Sequence, residues 1–401
     1  MGTRLVSAVL LLAMLAVFIG LPSAACAKDK IIIGVPIALS GPYAAPAQAT
    51  VLSDYELWVE DVNARGGIYV KELDKRLPVE LLKYDDKSNP ANCIKVAEKL
   101  MAEDKVDLLL APWGTAFYLA VAPVANKYGY PIIGSAAAVD RLRAAAQTLP
   151  YAFVLYSTKD QAKALVDLLL ELGVKKTAAI FPNESFGSTW AGMTVEPLIA
   201  KGIQVPIVQS YPHDTKDLTK VLQAVKNSDV DALLAFTYPP DAFLVTEQAK
   251  SMGLNPKLLY LCVGGAFPDY RNKFGSETVE GIMALGAWNP KVPYPGAKEY
   301  AERYLKRWGK ETDGFASPAT YAVGQILEQA IEKVGSLDRK KLRDCLASET
   351  FQTIIGPVKF DGIFSTMACG SIGQWQKGVF EVVAPKDNRT AGPIYPKPQW
   401  K

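Results

Sequence analysis

His213 is the only histidine of the chain, and Asp85-Asp86 is the one pair of adjacent carboxylates that closes a strand-like run. Any histidine-based nucleophilic triad would have to use His213, and a multi-histidine metal site cannot be built. The paired acids suit either acid/base or metal chemistry, but they run straight into Asn89-Pro90, where acids serve as turn and helix caps. No glycine-rich phosphate loop with its lysine, no G-x-G-x-x-G after a strand and no G-x-S-x-G elbow is present. Beyond residue 27 the cysteines are Cys93, Cys262, Cys345 and Cys369. Their spacing fits no zinc pattern. Cys345 and Cys369 are near enough in sequence to pair, and the alternative is buried free thiols. We therefore expect no metal, no cofactor and no catalysis.

What the loops carry instead is small residues and rings: Ser40-Gly41-Pro42-Tyr43, Trp113-Gly114-Thr115, Gly134-Ser135-Ala136-Ala137-Ala138, Phe186-Gly187, Tyr238-Pro239 and Gly264-Gly265-Ala266-Phe267. Such loops offer backbone groups and aromatic surface rather than nucleophiles, which is the make-up of a recognition cleft. The elements that must position them alternate regularly. Apolar runs at 31–39, 77–84 and 106–110 read as strands of a buried parallel sheet. Val51, Tyr55, Trp58, Val59 and Val62 recur at helical spacing and stop at Gly66-Gly67, and Asn89-Pro90 opens another helix. Helices at 159–172, 186–201, 216–227 and 240–252 then lead into strands at 177–181, 203–209, 231–236 and 257–263. Strand–helix alternation of this kind predicts an open α/β sheet covered on both faces, with its ligand crevice at the carboxyl ends of the strands.

The first 27 residues predict export. Arg4 precedes an apolar run from Leu5 to Ile19, and Ser23-Ala24-Ala25-Cys26-Ala27 supplies small residues before Lys28-Asp29-Lys30. This is the layout of a secretory signal peptide, too short to span a bilayer. Cleavage after Ala27 fits Ala25-Cys26-Ala27. A lipid-bearing Cys26 would want leucine where Ser23 stands. The remaining chain is longer than one core usually supports and predicts two domains. The formal charge of +3 is spread without a basic cluster, so no nucleic-acid partner is expected.

Taken in order, the motifs resemble the extracellular solute-binding proteins of bacterial ABC importers, in the branched-chain amino acid-binding (leucine/isoleucine/valine-binding) family. They are Ile33-Gly34 through Ser40-Gly41-Pro42, Val62-Asn63-Ala64-Arg65-Gly66-Gly67-Ile68, Tyr84-Asp85-Asp86, Ala122-Pro123-Val124-Ala125 before Pro131-Ile132-Ile133-Gly134, Gly356-Pro357-Val358-Lys359-Phe360 and Gln374-Trp375. The resemblance spans about Ile31 to Trp400. It implies the type I periplasmic binding fold: two Rossmann-like lobes joined by three crossovers, with the cleft between them closing by hinge motion. Carried onto this chain, the crossovers fall near Ser157, Ala287 and Gln374, dividing it into lobe 1 (28–157 with 288–373) and lobe 2 (158–287 with 374–401). Membrane permease subunits are the implied partners, the periplasm the implied location, and a small-molecule carboxylate the implied ligand.

In that family a Ser or Thr hydroxyl and backbone N–H groups at a helix start hold the ligand carboxylate. Trp113-Gly114-Thr115 matches this segment and puts Thr115 at the hydroxyl position; as a bare residue, Thr115 could equally cap its helix. Amino-acid binders add a threonine two residues beyond a backbone carbonyl and an acid on the opposite lobe to hold the ammonium. Here Ala138 follows Ala136 where the threonine would stand, and Gly264 occupies the place of the acid. An ammonium without a counter-ion is costly to bury. Tyr43, Trp113, Phe186 and Tyr238, with Phe267 and Trp288, supply rings instead, and point to an aromatic acid of the benzoate or hydroxycinnamate type. Two other readings stand beside this one: an amino acid or amide ligand within the same family, and a bilobed sensor acting through a separate partner.

Overall fold

A computed structural model describes residues 28–286, 288–366 and 372–400. The proposed signal segment, Ala287 and Cys369 lie outside the described residues. The strands fall into two groups, one for each lobe. In the first, Ile31–Ile37 lies between Val79–Asp85 and Leu108–Leu109, parallel to both. Beside it runs a sheet in the order Thr350–Thr353, Gly356–Asp361, Phe364–Ser365, Ala152–Val154, Ile132–Gly134. The second group is one seven-stranded sheet, ordered Val379–Ala384, Ile372–Gln376, Met283–Leu285, Leu258–Leu261, Ala232–Ala235, Lys176–Pro182, Gln204–Tyr211. Ala232 and Leu234 join the apolar cluster on one face of this sheet, Leu233 and Ala235 the cluster on the other. That is the alternation a strand buried on both faces requires.

Both groups of strands also contain antiparallel members. Ile372–Gln376 is antiparallel to both of its neighbours, and Thr350–Thr353 and Phe364–Ser365 each run antiparallel to Gly356–Asp361. Short turns join Thr350–Thr353 to Gly356–Asp361, Gly356–Asp361 to Phe364–Ser365, and Ile372–Gln376 to Val379–Ala384; a short turn can only return the chain antiparallel, whereas a parallel neighbour needs a crossover. Gln374, expected near a crossover, lies inside Ile372–Gln376, its amide donating to the carbonyls of Gly281 and Ile394. Phe364–Ser365 belongs to the first group of strands and Ile372–Gln376 to the second.

The helices have local causes. Val51, Tyr55, Trp58 and Val62 are buried along one stripe that continues through helix Ser53–Ala64. Asn89 caps Pro90–Glu98 by accepting from Ala91 and Asn92 N–H. Asp85 accepts from the N–H groups of Leu39, Ser40 and Lys87 and from the Ser40 hydroxyl, and Asp86 accepts from Ser88 N–H. Both acids of the sequence-level pair thus organise a loop. At the first crossing, Ser157 caps helix Thr158–Glu171, and the buried Asp140 accepts from Ser157 Oγ at 3.0 Å and Thr158 N–H at 2.6 Å. Arg143 donates to Asp140 and to Ser157. This cluster ties the first residues of that helix to a loop of lobe 1.

Candidate functional site

The strand ends meet at a cavity of about 40 Å³ with no charged side chain in its lining. One wall is Trp113, Gly114 and Thr115. Gly114 has φ +93°, a region that favours glycine, and from it the chain turns into helix Thr115–Tyr128. The first N–H groups of a helix have no partner within it, so this wall presents donors and the positive end of the helix dipole.

Thr115 is buried and does not cap its own helix. Its Oγ1 accepts the N–H of Ala138 at 2.9 Å. That bond uses a lone pair and leaves the hydroxyl hydrogen available for donation. Gly114 N–H donates to the Ala136 carbonyl at 3.2 Å, tying the two loops together. Replacing Thr115 by valine is expected to weaken carboxylate binding about 10- to 100-fold, or roughly 1.5–3 kcal/mol. It should also lower the melting temperature, because Ala138 N–H loses its acceptor. Thr115→Ser should retain both. Equal affinity of the valine variant and the parent in calorimetry would confine Thr115 to its bond with Ala138.

The facing wall comes from the second group of strands. Glu184 caps helix Ser185–Ala200, accepting from Phe186 and Gly187 N–H, and it also accepts from the Tyr238 hydroxyl at 3.3 Å. The Tyr238 ring stacks on Phe186 at 4.7 Å and 24°, and lies 5.7 Å from Trp113 across the cleft. Tyr43 covers this group from outside the lining, 5.5 Å from Trp113 and 6.2 Å from Tyr238. Asp241 accepts from Tyr238 N–H and from the Tyr211 hydroxyl. Burial raises its pKa to about 6 against those two bonds, and burial with the nearby Glu184 carboxylate raises the Tyr238 hydroxyl well above its ordinary value. Tyr238 therefore stays a neutral donor at any physiological pH. A volume of about 40 Å³ holds a few water molecules and no aromatic ring. A ring-sized ligand therefore needs the walls of the cavity to part.

Of the residues singled out from sequence, Trp113, Gly114, Thr115, Ala136, Ala138, Phe186, Tyr238 and Phe267 line this cavity. Three do not. Tyr43 backs the rings, as described. Gly264 is set behind Pro239: its φ is +101°, and a Cβ there would lie 2.5 Å from Pro239 Cα, so Val263 lines the cavity in its place. Trp288 belongs to the core of the first lobe, its indole donating to Ile354 carbonyl at 2.9 Å and its ring edge-on to Tyr300.

Sequence reasoning missed Thr50, Tyr156, Thr158, Gln161, Trp190, Leu285, Phe315 and Ala316, which also line the cavity. Tyr156 and Phe315 stack at 5.0 Å and 27° where the lobes join. Most of these residues sit on helix starts and crossings rather than strand ends, so the rule that located the loops could not find them. The Asn183-Glu184-Ser185 helix opening was a visible signal for Glu184. Among the described residues no group of three or more His, Cys, Asp or Glu is placed to hold a metal, and no helix is long and apolar enough to cross a membrane.

A family model described as periplasmic binding protein matches residues 30–378. The Leu/Ile/Val-binding protein homolog 7 of Brucella suis is 25% identical over 384 residues, 91% of this chain and 94% of its own. Two solved structures share the fold. The branched-chain amino acid transporter substrate binding protein LivJ of Streptococcus pneumoniae, in complex with isoleucine, superposes with a TM-score of 0.77 at 21% identity, covering 92% of this chain and all of the other. A solute binding protein of an R. palustris ABC transporter, in complex with benzoate, gives 0.74 at 18% identity, covering 88% and 95%.

Proposed function

Because this chain belongs to the periplasmic binding protein family, matched over residues 30–378, we propose that it is the capture subunit of an ABC importer for a small aromatic carboxylate. The family is one of solute-binding transport proteins rather than enzymes. One relative by fold binds isoleucine and another benzoate, so the choice between ligand classes rests on this chain's own residues. The observation that carries the aromatic reading is the lining itself: rings from both lobes and no charged side chain. The positive helix start at Gly114-Thr115 suits the ligand carboxylate. Glu184 and Asp241, on the other lobe, repel an anion and so orient that carboxylate toward Thr115. Both acids lie outside the lining, their oxygens already accepting from Phe186, Gly187, Tyr238 and Tyr211, so the ammonium of an α-amino acid would meet their field but no carboxylate in the lining.

Capture would couple to closure of the two lobes about the crossings, the first at Ser157, with lobe 1 as 28–157 and the segment from 288, and lobe 2 as 158–287 and the segment from 372. The closed form would be the one that docks on membrane permeases after export to the periplasm. A ligand that binds the folded protein must raise its melting temperature by mass action. In a thermal-shift screen, benzoates and hydroxycinnamates are expected to raise the midpoint, while leucine and valine leave it in place. A shift with leucine or valine and none with any aromatic acid would overturn the ligand assignment and leave the transport role standing.

A further inference from the structure

Among the described residues that line the cleft, one buried side-chain nitrogen has no partner. Gln161 lies on helix Thr158–Glu171, only 4% exposed, and its Nε2 is fully buried with no hydrogen-bond acceptor. It lines the same cavity as Thr115. The helix that carries it is fixed at its first turn by Ser157 and Asp140, and the side chain itself is buried. Among its neighbours in the lining of the same lobe, Phe186, Trp190, Val263 and Leu285 carry no side-chain acceptor, and Gln161 Nε2 makes no hydrogen bond to the hydroxyl of Thr158 or Tyr238. Burying an amide donor unpaired is unfavourable. The arrangement makes sense if a ligand atom accepts from it.

We propose that Gln161 is the specificity-determining residue of the cleft, selecting aromatic acids that carry a neutral hydrogen-bond acceptor on the ring. This rests on the aromatic-carboxylate reading above. The acceptor is a ring oxygen substituent rather than the carboxylate, because the anion is drawn to the helix start at Thr115 in lobe 1, while Gln161 belongs to the lobe that carries Glu184 and Asp241. A site built around a buried donor rejects the analogue that lacks the acceptor more strongly than an apolar pocket rejects a change of size, since the donor then stays unpaired.

Calorimetric titration with benzoate, 3-hydroxybenzoate and 4-hydroxybenzoate tests this. The parent protein is expected to bind one hydroxybenzoate about 10- to 100-fold more tightly than benzoate. Gln161→Leu, close in volume, should bring that ratio to near one while benzoate affinity holds or improves. Gln161→Asn, which keeps the amide but withdraws it by one methylene, should also lose most of the preference and guards against a leucine variant that fails to fold. A parent that binds benzoate as tightly as both hydroxybenzoates overturns the proposal. So does a preference that survives in both variants, or an equal loss for all three acids, which would make Gln161 a carboxylate ligand or a structural residue. If none of the acids binds and leucine does, the aromatic reading itself falls, and this proposal with it.

Discussion

Replacing Tyr238 by alanine is expected to weaken binding of a flat aromatic acid by about 2–4 kcal/mol, roughly 30- to 1,000-fold, with most of the change in the dissociation rate. The expectation follows from where the ring sits. Tyr238 is the side chain through which the two walls of the cleft touch: it stacks on Phe186 at 4.7 Å on its own side and meets Trp113 at 5.7 Å on the other. A ligand entering between the walls inherits those faces, and each aromatic pair adds about 0.5–1.5 kcal/mol beyond burial of area. Association should change little, because the open cleft does not need the ring in order to admit a ligand. Tyr238→Phe keeps the ring and loses only the 3.3 Å bond to Glu184, so it should retain most of the affinity. Phe186→Ala removes the support beneath Tyr238 and should cost about 1–2 kcal/mol. Stopped-flow traces of the three variants separate these effects. Normal binding by Tyr238→Ala, with a melting point well below the parent, would assign the ring to lobe packing and remove the sandwich from the account of the cleft.

The second large effect is on folding. Gly264→Asp puts an acid at the position that the family resemblance equates with the acid of amino-acid binders, and it is expected to destabilise the protein by about 3–5 kcal/mol without creating affinity for leucine. The backbone at Gly264 has φ +101°, strained for any L side chain, and a Cβ would meet Pro239 Cα at 2.5 Å, a backbone atom with nowhere to retreat. Relief would require Pro239 to shift, and Pro239 is the first residue of the helix that follows Tyr238. The substitution therefore disturbs the ring it neighbours rather than adding a carboxylate to the cavity. Thermal melts and leucine titration check both halves. A variant that melts like the parent, or that gains leucine binding, would show that this loop can present a side chain to the ligand.

The chain could be read as an α/β protein because the signal is local. A strand buried on both faces must be apolar along its length, as Ala232–Ala235 is, and a helix stripe such as Val51, Tyr55, Trp58 and Val62 repeats at its own period. The loops at the strand ends were legible for the same reason, since chain order alone places them on one edge of the sheet. Thr115, Phe186 and Tyr238 could be named from that rule and from the family motifs. Antiparallel returns such as Ile372–Gln376 were not, because the same apolar pattern serves either strand direction.

Which side chain of a loop or helix turns inward was decided by tertiary packing. Trp288 and Trp113 are equally apolar in sequence, yet one donates its indole N–H into the first-lobe core and the other faces the cleft. Gly264 was counted as a missing acid, and the fold shows it pressed against Pro239 so that no side chain fits. Gln161 was one polar residue of an amphipathic helix. It became the unpaired donor of the cavity only because Ser157 and Asp140 fix the start of that helix at the junction of the lobes. Sequence by itself determined the alternation of elements and the loops that meet at the cleft, both set by neighbours within a turn or two. The tertiary structure decided the lining, because the faces that meet there, such as Trp113 and Tyr238, come from different lobes, and only their packing fixes which atoms are left without a partner.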